Sequence, residues 1–227
     1  MVKLWIEGDS WGRGAWWNNP LTKEYRVYHD GFAQYARDDG LEVRLCAYGG
    51  SPLKTFFLNR ENEIKNYDGI VIAFITEPLR GYNLNYINSY DELIAVQKTI
   101  LLERLDYFNM LGKKIYLLGG AHKLDEKMIA PFDNLSILIP SITEFFYPDY
   151  KHPEVWLSKP IMDSFNHIPE ELADELTHQY DLQYALLDGK YKEYFWPDGF
   201  HPNHKAHKVL YDYFVENVLK KEIRDLS

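Results

Sequence analysis

The feature that most constrains this chain is a series of short apolar runs, each ending on loop residues and each followed by a longer amphipathic stretch. "KLWIEG" (3–8), "LEVRLCAY" (41–48), "YDGIVIAFI" (67–75), "KKIYLLGG" (113–120) and "NLSILIPSI" (134–142) all have the length and content of strands. The unbroken apolar centre of the third suits a strand buried on both faces, as in a parallel sheet. Between the runs, "TKEYRVYHDGFAQYARDDG" (22–40) sets Tyr25, Tyr28, Phe32, Tyr35 and Ala36 at helical spacing and stops at Gly40. A longer helix is expected near 90–111. A last one is expected over 202–221, with Pro202 at a first-turn position that tolerates a missing N–H. This alternation predicts an α/β fold, a flavodoxin-like three-layer α/β/α sandwich around a mainly parallel five-stranded sheet. A chain of 227 residues suits one core, so a single domain over 1–227 is expected, with 147–195 as a lid or insertion.

Charge and cysteine content narrow the function classes. Asp and Glu outnumber Lys and Arg by 34 to 25, the net charge is -9, and no basic run exceeds two residues, which argues against a nucleic-acid partner. Cys46 is the only cysteine, so no internal disulfide can form, and within the second strand it reads as a small core residue. No stretch reaches the ~20 apolar residues of a membrane span, and "MVKLWIEG" lacks the features of a signal peptide. A cytoplasmic protein with no membrane partner is the expectation.

In open α/β sheets, ligands bind beyond the carboxyl ends of the strands, so the residues that overrun each strand carry most information. The first strand runs into Gly8-Asp9-Ser10, the second into Gly49-Gly50-Ser51 and the third into Thr76-Glu77-Pro78. Near the chain's end, "WPDGFHPNHKAHKVL" (196–210) spaces Asp198 and His201 so that one short turn can present a carboxylate beside an imidazole. A serine hydrolase needs that pair: the carboxylate holds the ring's tautomer while the other ring nitrogen takes a proton from a serine hydroxyl. Taken alone, the Asp and His read more simply as a helix cap and a surface histidine.

Taken together, the Gly-Asp-Ser on the first strand, the glycine pair on the second and "DGFHPN" before the last helix resemble the SGNH, or GDSL-like, hydrolase superfamily. The resemblance implies Ser10 as nucleophile, His201 as general base, Asp198 as orienting acid, and the N–H groups of Ser10 and Gly50 as oxyanion-hole donors. One block departs from the family. Its Gly-x-Asn-Asp is Phe74-Ile75-Thr76-Glu77 here, so the Asn donor is absent. Thr76, in its place, has a hydroxyl that can donate one hydrogen bond, whereas Glu77 as a carboxylate could only repel a developing negative charge.

Arg80 reads either as a surface ion pair or as a crevice group that binds an acidic moiety. Trp11, Trp16 and Trp17 follow the nucleophile so closely that at least one should border the crevice, where Trp11, Glu77 and Arg80 are the pocket candidates. No cofactor is implied. His201, His204 and His207 look like a metal run, but residues i and i+6 on a helix are about 120° out of superposition, so His204 and His207 read as solvent-facing. "YGGSP" and "LLGGAH" lack the lysine of a phosphate loop. The expectation is a serine esterase acting on a small acyl ester, with the tryptophans favouring an O-acyl (acetyl) group on a carbohydrate. An acyltransferase, a lipid or thioester hydrolase, and an inactive fold kept as a binding module are the alternatives.

Overall fold

The computed structural model describes residues 1–18, 25–75, 77–150, 155, 193–195 and 201–225. Five parallel strands form the central sheet: β1 (Lys3–Gly8), β4 (Glu42–Ala47), β5 (Ile70–Ile75), β6 (Ile115–Gly119) and β7 (Leu135–Ile139). Their spatial order is β4-β1-β5-β6-β7, which by rank along the chain is the doubly wound order 2-1-3-4-5. The chain reverses its winding between β1 and β5. That point opens the crevice into which β1 delivers Ser10.

Side-chain alternation along the strands builds the three layers. Leu4 and Ile6 of β1, with Ile72 and Phe74 of β5, face a core shared with Phe32 and Ala36 of α2 (Phe32–Asp38) and with Leu210, Tyr211 and Phe214 of α7 (His204–Phe214). Trp5, Val71, Ala73 and Ile75 point the other way, onto Leu101, Leu105 and Phe108 of α4 (Tyr90–Met110) and Ile64 of α3 (Glu61–Lys65). Period-two strands thus meet helical stripes on both faces. Helix α7 continues through a π-helical stretch, Val215–Leu219, into α8 (Lys220–Asp225).

The structure corrects three expectations. Residues 22–40 are not one helix: β3 (Tyr25–His29) pairs antiparallel with β2 (Ala15–Asn18), and only α2 is helical. Gly31, at φ +54, makes the break, and Asp30 ties the pieces together by accepting from Arg13 at 2.6 Å and Arg37 at 2.7 Å. The last helix is capped by Asn203, whose side chain accepts from the Ala206 N–H, so Pro202 stands outside its first turn. There it bridges to Phe195. His207 is fully buried, not solvent-facing. The suggested lid at 147–195 lies almost wholly outside the described residues; Tyr150, Val155 and Phe195 within it are buried. Cys46 is a core residue, as expected.

Candidate active site

The first strand ends where its backbone turns into α1 (Ser10–Arg13). Asp9 caps this short helix by accepting the Trp11 N–H at 3.0 Å, and the Arg13 N–H donates to the Asp9 carbonyl at 2.9 Å. Ser10 is thereby held at the sheet's carboxyl edge, its residue surface 5% exposed. His201, ahead of the Asn203 cap, reaches the same point from the far end of the chain. Its Nε2 lies 3.0 Å from Ser10 Oγ, within hydrogen-bond reach. Asp198 and Thr76 lie outside the described residues.

The turn after β4 forms another wall. The Ser51 N–H donates to the Tyr48 carbonyl at 3.1 Å, and Gly50 takes φ +74. A turn with a positive φ at its third residue favours glycine there. Trp16 binds this wall to Ser10. Its Nε1 donates to the Ser10 carbonyl at 2.7 Å, its ring centroid is 5.9 Å from that of His201, and its ring edge covers Gly49 so closely that a Cβ would meet Cη2 at 2.6 Å. Tyr48, beside this turn, is 60% exposed.

The pocket candidates divide. Trp11 is 1% exposed and packs edge-on against Phe195 at 5.9 Å, so it belongs to the core and not to the crevice wall. The burial has a geometric cause: α1 turns Trp11 down onto the sheet face shared with α2 and α7, leaving Trp16 on the adjoining strand to border the site. Glu77 and Arg80 form an ion pair in which Arg80 Nε and Nη2 both address Glu77 Oε2, at 2.8 and 2.6 Å. The expected repulsion by Glu77 is therefore countered by a neighbouring cation. Arg80's guanidinium is held above its ordinary pKa: burial opposes its charge, but Glu77 and Asp9 outweigh that. Sequence names Trp16 and Arg80 as crevice candidates but neither the Trp16 bond to the Ser10 carbonyl nor Glu77 as the partner of Arg80. The three-residue interval between Glu77 and Arg80 was the available signal for the second.

His207 lies in the first turn of α7, its ring packed against Gly31, where a Cβ would meet Cγ at 2.7 Å. Burial pushes its pKa down to about 3 despite the nearby Gly14 backbone, and neither ring nitrogen makes a well-formed hydrogen bond. Among the described residues, no cluster of His, Cys, Asp or Glu could hold a metal ion, and no helix is long and apolar enough to cross a membrane.

No protein-family model and no curated protein matches the chain. In fold, the chain is similar to solved esterases. One is the psychrotrophic esterase EstA from Pseudoalteromonas sp., at 13% identity and TM-score 0.42, covering 99% of this chain and 100% of that one. Another is a member of the lipolytic G-D-S-L family from Veillonella parvula, at 11% identity and TM-score 0.41, covering 96% and 99%. A third is a catalytic mutant of Axe2, an acetylxylan esterase from Geobacillus stearothermophilus, at 14% identity and TM-score 0.38, covering 95% and 93%. Likeness at this level decides nothing about chemistry, which has to be read from the residues themselves.

Proposed function

We propose that this chain is a serine esterase of the SGNH, or GDSL-like, kind, working through an acyl-enzyme. The observation that carries this reading is the 3.0 Å contact between Ser10 Oγ and His201 Nε2, made across 191 positions of sequence. A contact this remote in sequence exists only because the fold brings the β1 edge and the approach to α7 together. A nucleophile and base within hydrogen-bond reach is the signature of an activated serine.

In the reaction, Ser10 Oγ attacks the ester carbonyl while His201 Nε2 takes its proton. The N–H groups of Ser10 and Gly50 receive the oxyanion, with Thr76 the residue assigned by its place in the chain as a further donor. Asp198, assigned by its spacing from His201, holds the imidazole's tautomer and steadies the imidazolium. His201 then returns the proton to the leaving alcohol, and water repeats the cycle to release the acid.

The substrate class we infer is an O-acyl ester on a carbohydrate. Trp16 beside His201 and the exposed Tyr48 beside Gly49 supply rings at the rim, and rings of this kind stack on sugar faces. The test is turnover of p-nitrophenyl acetate and of an acetylated sugar by the unaltered chain, Ser10→Ala and His201→Ala. Loss of turnover on both esters in both variants is expected. Turnover no higher in the unaltered chain than in Ser10→Ala would leave a binding module as the surviving reading.

A further inference from the structure

The Arg80 clamp engages one edge of the guanidinium. Nε and Nη2 are both committed to the buried Glu77 carboxylate. Nη1 lies 3.5 Å from where a Cβ on Gly50 would stand. The guanidinium therefore borders the Gly50 turn through Nη1, on a side chain that is 20% exposed. Asp9, the residue before Ser10, is near enough to act on the same cation.

An arginine built this way has a fixed plane. Glu77 Oε2 accepts from one edge of the guanidinium and offsets its charge, so Arg80 can sit half-sheltered without a mobile counter-ion. Its remaining donors cannot swing away to solvent without breaking both contacts to Glu77. Donors fixed before reaction and aimed where charge develops are the most effective kind, because nothing has to reorganise when the charge appears. On the crevice side of Gly50, that charge is the oxygen of an ester under attack by Ser10.

We propose that Arg80 Nη1 donates to the tetrahedral oxyanion formed on Ser10, as a charged partner to the N–H groups of Ser10 and Gly50. The proposal rests on the reading of Ser10 as nucleophile. As the Ser10 Oγ–carbon bond forms, the carbonyl π pair moves onto oxygen and the serine proton passes to His201. Arg80 keeps its protons throughout. When the oxyanion collapses, the ester carbon–oxygen bond breaks and His201 protonates the leaving alkoxide. Arg80 thus acts as a catalytic residue by hydrogen bonding alone, and Glu77 is its positioning residue.

The experiment measures kcat and KM on p-nitrophenyl acetate, a neutral ester, together with the second-order rate of fluorophosphonate labelling. Arg80→Gln is expected to lower kcat by about 10²-fold or more with little change in KM, the usual cost of one oxyanion donor, and to slow labelling in parallel. Arg80→Lys should recover only part of the loss, since a lysine cannot be clamped by Glu77 and still reach the oxyanion. Glu77→Gln keeps the cation but loosens it, and should fall between.

Should Arg80→Gln fail to fold with Glu77 left buried and unpaired, the double variant Glu77→Gln/Arg80→Gln removes both charges and should show the same fall in kcat. A folded Arg80→Gln or double variant with unaltered kcat on the neutral ester overturns the proposal. So does a rise in KM confined to esters that carry a carboxylate, which would make Arg80 a reader of substrate charge. Ser10→Ala separates the two failures: activity or labelling that survives it removes the nucleophile and the Arg80 role together, whereas loss in Ser10→Ala with none in Arg80→Gln removes only the latter.

Discussion

Trp16 ties together three parts of the site that come from distant positions. Its indole N–H holds the Ser10 carbonyl at 2.7 Å, and its ring lies between the Gly49 backbone and His201. Trp16→Phe keeps most of the ring and removes one hydrogen bond, worth about 1 kcal/mol. It is expected to lower kcat by roughly five- to tenfold with a smaller change in KM, measured by steady-state turnover. Trp16→Ala, which also removes the packing, should cost more. The importance of this one tryptophan was only half legible. The sequence shows three tryptophans soon after Ser10, but which borders the crevice depends on α1 being a single short turn. That turn sends Trp11 inward and lets β2 carry Trp16 back over the site.

At the scale of elements, β1 leads into the turn that holds Ser10 and itself carries a buried acid. Glu7 is 1% exposed, accepts from Trp5 Nε1 at 3.0 Å and pairs with Arg60 at 2.7 Å. Burial outweighs both partners and pushes its pKa up to about 7 from an ordinary 4.5. A raised carboxyl pKa makes the protonated form the better one in the fold. The stability it contributes is full below about 4.5 and is lost as pH rises through about 7. Arg60→Ala is therefore expected to cost about 3 kcal/mol at pH 8, where it strands a buried carboxylate, and clearly less at pH 5, as read by urea unfolding. Equal losses at both pH values would contradict the raised pKa.

The apolar runs marked the five strands of the central sheet to within a few residues, because burial on both faces leaves so little freedom of composition. The stretch 22–40 misled for the opposite reason. Tyr25 and Tyr28 fit a helical stripe by spacing, yet β3 is held by pairing with β2, a partner that periodicity cannot reveal.

At the scale of the whole molecule, the 2-1-3-4-5 sheet order converts sequence distance into proximity. It sets the β1 edge beside the β5 edge, and α7 closes the same face from the chain's far end. That Ser10 and His201 would come together could be anticipated from sequence because short motifs surround them. The partner of Arg80 could not, because it depends on where the loop after β5 folds. The packing that seats α7 also buries His207, whose pKa is pushed down to about 3 from 6.5. A depressed histidine contributes stability that is full above about 6.5 and is lost as pH falls toward 3. Between pH 6.5 and 4, His207→Leu is expected to lose about 3 kcal/mol less unfolding free energy than the unaltered chain, in parallel urea titrations.

The central claim is that the fold makes Ser10 a nucleophile through His201. Its most direct measurement is the site and rate of fluorophosphonate labelling, read by intact mass and peptide mapping. The account expects one adduct, on Ser10, formed at least about 10³-fold more slowly in His201→Ala. An adduct elsewhere, or a Ser10 adduct formed equally fast without His201, would contradict it.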